Sequence, residues 1–451
     1  MKDGDLLSQA KAVLDRNDNG NWTQAALDMY PNQWFWDSCF IAIGLSHYKP
    51  ERAVRELRSI CAGQWDNGMI PNEVFHHDHQ SGSRLWRSEV SPLAPPTLRT
   101  SGITQPPLLA EAVWRIGERL TAPKRKKLFE EFYPKLVAYH TWLYTERNPH
   151  QEGLVVLLHP WETGTDDTPP WIAELHTHWT PFWITMIGTL HADKLIDLVR
   201  QDLQNAAVEQ RMSTMDALRL YNIVTRMRRK KYQTNQMLKH GLFAIEDLFF
   251  NSILIRNNQI LVEIAKSLHR QLPRELHVQM TRASLALDDL WDKQTEQYYS
   301  QNFVTDEKLK DPSIATLMPL YSRAISHERA RELVKLLRNK KEYWTQYPVP
   351  TVPLSSPYFR DIHYWQGPVW LNTNWMLADG LRYYGYGDLA DSLTQSSLNL
   401  VERSGFREYF SPIDGNGAGA TNFSWTAALT IDMLAQLTQR PSVKEGSGTK
   451  K

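Results

Sequence analysis

The sequence predicts an all-α protein built from paired helices, and three observations carry that prediction. Apolar residues recur at helical spacing through most of the chain, strand-like runs are few and short, and a helix pair returns every roughly 45–70 residues across long aromatic-rich loops. No regular alternation of strand and helix is present, which argues against a parallel α/β fold.

The elements follow in chain order. A helical pattern covers 51–62. The segment 106–120, PPLLAEAVWRIGERL, puts Leu108, Leu109, Ala112, Val113 and Ile116 on one face, with Pro106 and Pro107 opening it. Across 125–147 the face is Leu128, Phe132, Leu136, Tyr139 and Leu143. Leu154–Leu158 is the best strand signal, whereas Val349–Val352 is interrupted by Pro350 and reads as an extended loop. Further helical patterns cover 213–228, 238–252, 258–270, 276–290, 326–338, 366–384, 386–402 and 424–438. Pro71 and the pair Pro169–Pro170 fall in loops between them. No exact repeat and no linker divides the chain, so one domain is expected over 1–440. The Lys-, Gly- and Ser-rich residues 441–451 are expected to form a disordered tail.

Composition narrows the function. The 451 residues are 42% hydrophobic and 22% charged, a globular balance, and 51 Lys plus Arg against 50 Asp plus Glu leave a net charge of +1. Nucleic-acid binders carry a basic excess, so a neutral or mildly anionic small substrate is expected. The basic run Arg226–Gln233 reads as a solvated helix face. The N-terminus is polar and amphipathic, unlike a secretory signal, and no run reaches the roughly 18 apolar residues a spanning helix needs. Cys39 and Cys61 read as free thiols of a reducing cytoplasm, which leaves the sequons at Asn21 and Asn422 without consequence.

The 17 tryptophans gather in loop-like segments: Trp34, Trp36 and Trp65 early; Trp161, Trp171, Trp179 and Trp183 together; Trp365, Trp370 and Trp375 late. Indole faces stack on sugar C–H faces and indole N–H groups bond hydroxyls, although core packing accounts for many tryptophans. Five loops combine such aromatics with polar residues: Asn32–Phe40, Gln64–Phe75, His159–Trp171, Arg360–Trp375 and Gly405–Ala428. In the third, Trp-Glu-Thr-Gly-Thr-Asp-Asp-Thr-Pro sets three acids beside Trp161 and Trp171. An acid packed on aromatics keeps its proton, as a general acid must, but the same string also serves as a turn and helix cap. In the fifth, Glu408 precedes a Gly-rich loop that permits close approach to a ligand. Glu408 either activates a water or pairs with Arg407 or another arginine.

Other chemistries lack their signatures: no G-x-S-x-G, G-x-x-x-x-G-K-[ST], H-E-x-x-H or C-x-x-C occurs. His76-His77-Asp78-His79 invites a metal reading, but adjacent histidines on one loop rarely converge on one ion, and no metal or other cofactor is expected.

Taken in order, QWFWDSCF, WDNGMIPN, SGITQPP, HPWETGTDDTP, HYWQGPVWLNTNW and EYFSPIDGNGAGATNFSWTA resemble glycoside hydrolase family 63, above all its bacterial mannosylglycerate and glucosylglycerate hydrolases. The motifs span Gln33 to Ala427. The resemblance implies an (α/α)6 toroid with its site in a funnel at one end, and an inverting mechanism. The family's acid lies in a Gly-x-Asp-Asn-Ser-Pro string that matches Gly164–Pro169, selecting Asp166 and leaving Asp167 where Asn is usual. Its base is the Glu of a Glu-Tyr-Tyr/Phe string, matching Glu408. For inversion the two carboxyls stand roughly 6.5–9.5 Å apart to admit a water. Trp34, Trp36, Asp37, Gln105, Trp161, Tyr364, Trp365, Gln366 and Trp370 are the implied sugar-binding residues.

The loop His76–Val90 departs from the family's Tyr-Phe-Pro-Gly-Pro-like stretch, and Arg84, Arg87 and its three histidines offer a carboxylate site instead. The expected activity is hydrolysis of a small α-glucoside or α-mannoside, including glucosylglycerate or mannosylglycerate. The alternatives are another sugar enzyme of this fold, an epimerase or phosphorylase, and a non-catalytic sugar-binding protein.

Overall fold

A computed structural model describes residues 3–76, 83–177, 181–189, 207–239, 241 and 243–438. The tail 441–451, Trp179 and the stretch His77–His79 lie outside the described residues.

The hydropathy of the helices sorts them into two rings. Phe35–Leu45 (FWDSCFIAIGL) is apolar apart from Asp37 and Ser38 and all its residues are buried, as an inner helix requires. Pro50–Cys61 (PERAVRELRSIC) buries one face and shows charge on the other, as an outer helix does. Six inner helices close a circle: Phe35–Leu45, Leu109–Glu118, Leu248–Ser267, Pro319–Ser322, Leu371–Tyr383 and Ser424–Thr438 each pack on the next, and the last packs on the first. Outside them lie Asp3–Arg16, Pro50–Cys61, Ala122–Glu146, Arg274–Ala286, His327–Leu337 and Gly387–Ser404, each against an inner partner. The chain alternates outer and inner helices throughout. This is an all-α toroid of six helical hairpins.

The inner helices are tied to one another by partly buried ion pairs. Arg115 joins Glu111 at 2.6 Å and Asp379 at 3.0 Å, Arg323 joins Asp379 at 2.6 Å, and Arg119 joins Asp432 at 2.7 Å. Their N-terminal ends are left to line a cavity. Between Ala122–Glu146 and Leu248–Ser267 the chain makes its longest excursion from the ring, with described helices Pro169–Thr177, Phe182–Thr189, Thr214–Arg229 and Thr234–Lys239. Thr214–Arg229 packs against the short helix Ser83–Trp86, bringing the excursion over the early loops. No described helix is long and apolar enough to cross a membrane.

Several expectations need correction. The patterns at 238–252 and 258–270 are one helix, Leu248–Ser267, started by Asp247, whose side chain accepts from the Phe250 N–H. Its polar middle disguised the continuity: Asn257 bonds the Ile253 carbonyl and Asn258 the Tyr144 hydroxyl. Just before it, Ile245–Glu246 pairs with Val156–Leu157 and with Gln301–Asn302, so the strand read at Leu154–Leu158 survives as two residues. The helix read at 366–384 begins at Leu371. Arg407–Phe410 and Gly417–Thr421 form a β-hairpin that periodicity did not reveal, because both strands are buried and the second is all small residues.

Candidate active site

A cavity of about 520 Å³ opens over the N-terminal ends of the inner helices. Trp36, Asp37, Trp365, Trp370 and Trp425 form its floor; Asp166 and Glu408 face it; Tyr30, Asn72, Glu73, Trp86, Trp161, Arg211 and Tyr221 stand around it.

The loop carrying Asp166 is anchored first. Of the three acids in its string, Glu162 is fully buried and takes two guanidinium bonds from Arg147, at 2.9 and 2.8 Å, plus the Leu158 N–H at 2.7 Å. It is a structural pin. Gly164 follows at φ 76, and a Cβ there would stand 2.8 Å from the Trp36 ring, so only glycine lets the loop cross that indole. Asp166 then faces the cavity, its Oδ2 accepting the Tyr364 hydroxyl at 3.1 Å. Asp167 turns inward and accepts the Trp365 N–H at 2.9 Å. Burial pushes the Asp166 carboxyl up to about 7; the neighbouring Asp167 and Glu408 charges add to this, while Tyr364 and Arg211 oppose it. A carboxyl in that state is about half protonated at neutral pH, so it can give up a proton and take one back.

Glu408 sits on the hairpin Arg407–Phe410/Gly417–Thr421, whose register shifts between Ala418 and Thr421. The irregularity releases the Ala420 N–H from the ladder, and it donates to Glu408 Oε2 at 2.9 Å. Gly419, at φ 65, completes the turn of the strand; any side chain there would strike the Glu408 carboxylate. Tyr30 donates to Oε1 at 2.7 Å, and Arg211 Nη2 to Oε2 at 2.6 Å. The arginine partner is thus Arg211; Arg407 donates instead to the Gly419 carbonyl. The two carboxyls are linked through Tyr364, over whose ring the Arg211 guanidinium lies at 5.0 Å.

The floor is aromatic. Trp365 and Trp370 stack with centroids 3.9 Å apart, and Trp36 and Trp425 meet edge to face at 5.2 Å. The indole N–H groups of Trp34 and Trp425 are buried without an acceptor among the described residues, two donors placed for a polar ligand. Asp37, in the first turn of Phe35–Leu45, is buried among them; burial raises its carboxyl well above the usual range, with Glu408 and Asp166 adding. Gln105 accepts the Trp36 N–H at 3.4 Å and reaches the cavity. Trp161 forms a wall with Tyr221 and Trp86.

The cavity gathers ten of the eleven residues expected there. Gln366 is the exception: it lies beneath the loop, its Nε2 donating to the Asp167 carbonyl at 2.8 Å, and supports the loop from behind. Arg84 and Arg87 are exposed and do not line the cavity. His76 stacks on Trp22 and bonds Gln33. The positive charge comes instead from Arg211, which sequence reasoning missed together with Tyr30, Glu73, Trp86 and Tyr221. Tyr30 lies two residues before the first aromatic loop, a signal of position; Arg211, in a polar segment, gave none.

A funnel-like cavity over six inner helices, floored by indoles and faced by a proton-bearing and a hydrogen-bonded carboxyl, defines a glycoside hydrolase, and the comparisons agree. Residues 30–426 match the model of the mannosylglycerate hydrolase MGH1-like glycoside hydrolase domain, and the chain belongs to that family. It is 37% identical to the mannosylglycerate hydrolase of Thermus thermophilus, over 94% of this chain and 99% of that one. It is 30% identical to the glucosylglycerate hydrolase of Mycolicibacterium hassiacum, over 95% and 97%. The crystal structure of the family 63 mannosylglycerate hydrolase from Thermus thermophilus with Tris and D-glycerate superposes with a TM-score of 0.84 at 35% identity, covering 94% of this chain and 99% of that one.

Proposed function

We propose that this glycoside hydrolase is an inverting α-glycosidase acting on glucosylglycerate, mannosylglycerate or a closely related small α-glycoside. The observation that carries this reading is the pair of unlike carboxyls on one cavity. Asp166 protonates the glycosidic oxygen as its bond to the anomeric carbon breaks. Glu408 takes a proton from the water whose oxygen bonds that carbon from the opposite face. The proton gained by Glu408 and the one lost by Asp166 re-equilibrate through solvent. Trp36, Asp37, Gln105, Trp365 and Trp370 hold the sugar, and the unpartnered N–H groups of Trp34 and Trp425 supply donors to its hydroxyls.

Arg211 is the one guanidinium among the described residues lining the cavity, and it supports an anionic aglycone. No histidine is among those lining residues, which disfavours an epimerase. We place the reaction in the cytoplasm, where the buried free thiols Cys39 and Cys61 stay reduced, and treat residues 1–440 as one catalytic domain.

The test is a substrate panel of glucosylglycerate, mannosylglycerate, trehalose, kojibiose, nigerose and maltose. Release of glycerate from either of the first two is expected. Hydrolysis of a disaccharide alone would replace the anionic aglycone, and binding without any turnover would remove the catalytic reading.

A further inference from the structure

The loop carrying Asp166 and the segment carrying Arg211 are separate parts of the long excursion, yet one side chain touches both. His363, on the Arg360–Trp370 loop, has only 17% of its side chain exposed. Its Nδ1 lies 2.7 Å from the Glu209 carbonyl oxygen, two residues before Arg211. Its Nε2 lies 3.2 Å from Asp167 Oδ2, in the residue after Asp166.

A carbonyl oxygen only accepts, so Nδ1 carries a proton. A neutral ring would then turn the Nε2 lone pair towards a carboxylate, which is repulsive; an imidazolium turns an N–H towards it. The 3.2 Å approach of Nε2 to the buried Asp167 carboxylate favours the cation as an ion pair, and Oδ2 takes no hydrogen bond from the described residues. Asp167 Oδ1 is meanwhile occupied by the Trp365 N–H, so Oδ2 is the oxygen left to face the ring.

We propose that His363, acting as an imidazolium bridge, is a positioning residue for both halves of the catalytic machinery. Through Asp167 it fixes the peptide that presents Asp166 and offsets the negative charge beside it. Through Glu209 it fixes the segment from which Arg211 holds Glu408. The inference rests on the proposed roles of Asp166 and Glu408.

The charged groups set against the ring are Asp167 on the acid loop and Arg360 on its own loop, with Glu209 meeting it through its backbone carbonyl. Among them the Asp167 carboxylate raises the ring's proton affinity, while burial and Arg360 lower it; the net direction is up.

Two variants separate this role from simple support. In Asp167→Asn the negative charge next to Asp166 is gone, so the alkaline limb of kcat/KM moves down by about one pH unit. In His363→Gln the compensating positive charge is gone, so the limb moves up, while kcat falls and KM changes less. A purely structural contact would move both limbs the same way or not at all. Independently of activity, ring NMR of labelled histidine follows His363 in the wild type and in Asp167→Asn. The account expects titration above the ordinary histidine value in the first and a lower one in the second. Limbs shifting in the same direction, or a ring titration unchanged by Asp167→Asn, overturns the proposal. If no glycoside in the panel is hydrolysed, the proposed function fails, and the ring titration still decides whether the bridge exists.

Discussion

Among the described residues, Glu408 receives donors from three, Tyr30, Arg211 and Ala420, whereas Asp166 receives one, from Tyr364. The difference grows out of their supports. Glu408 sits on a hairpin whose irregular partner strand turns a backbone N–H towards it, and the returning excursion adds a guanidinium. Asp166 sits on a loop pinned from behind by Glu162–Arg147 and Asp167–Trp365, with its own carboxyl left to the aromatic cavity. Donors around a carboxylate hold it in its ionised form, whereas burial and neighbouring negative charge favour the protonated form, and Asp166 is raised by both. The lesson is that one cavity can give two carboxyls different surroundings, one met by donors and one raised by burial and neighbouring charge.

The strongest break of that contrast is removal of either carboxyl. Asp166→Asn and Glu408→Gln should each lower kcat by about 10³-fold or more, with KM little changed and circular dichroism intact. Retained turnover in either would falsify its role.

Next comes Arg211→Gln, which frees one side of Glu408 and removes the positive charge of the cavity. A fall in kcat of about 10²-fold is expected, together with a higher KM for a glycerate glycoside than for a neutral one. Equal losses on anionic and neutral glycosides would detach Arg211 from aglycone recognition.

Arg147→Met tests the pin rather than the chemistry. It leaves Glu162 buried without its cation and should cost about 3–5 kcal/mol in urea unfolding. Turnover per folded molecule should fall far less than in Asp166→Asn.

The pH dependence sharpens the acid side. As pH rises through about 7, Asp166 loses the proton an acid must deliver, so kcat/KM should fall there. Stability carries the same signature. Between about pH 4 and 7 the folded protein binds a proton that the unfolded chain, with an ordinary aspartate near 3.9, has released. Stability contributed by this site therefore falls as pH rises through that window. Asp166→Asn abolishes the dependence, so its melting temperature relative to wild type should climb from pH 4 to pH 7; a constant difference would contradict the raised carboxyl.

The smallest effect is expected at the wall. Trp161→Phe, which trims an indole packed between Trp86 and Tyr221, should raise KM a few-fold and leave kcat nearly unchanged.

Much of this was legible in the sequence. The outer helices announce themselves through one-sided burial, as in Pro50–Cys61, and the ordered loops pointed to Asp166 and Glu408. Inner helices were harder, because Phe35–Leu45 is apolar apart from Asp37 and Ser38 and carries no period to read. The hairpin under Glu408 was hidden because one strand, Gly417–Thr421, is all small residues and neither strand alternates buried and exposed positions. Gln366 belongs to an aromatic loop yet faces away from the cavity, since a loop motif records proximity but not the direction of each side chain. Arg211 was hidden for another reason: its partners, Tyr30 and Glu408, lie 181 and 197 residues away in the chain. Only closure of the ring brings them together.

The most direct test of the central claim is proton NMR of the sugar released in the first minutes from glucosylglycerate or mannosylglycerate. The account predicts that the β-anomer appears first and the α-anomer grows in later by mutarotation. First appearance of the α-anomer would contradict inversion and, with it, the assignment of Glu408 as the base that activates water.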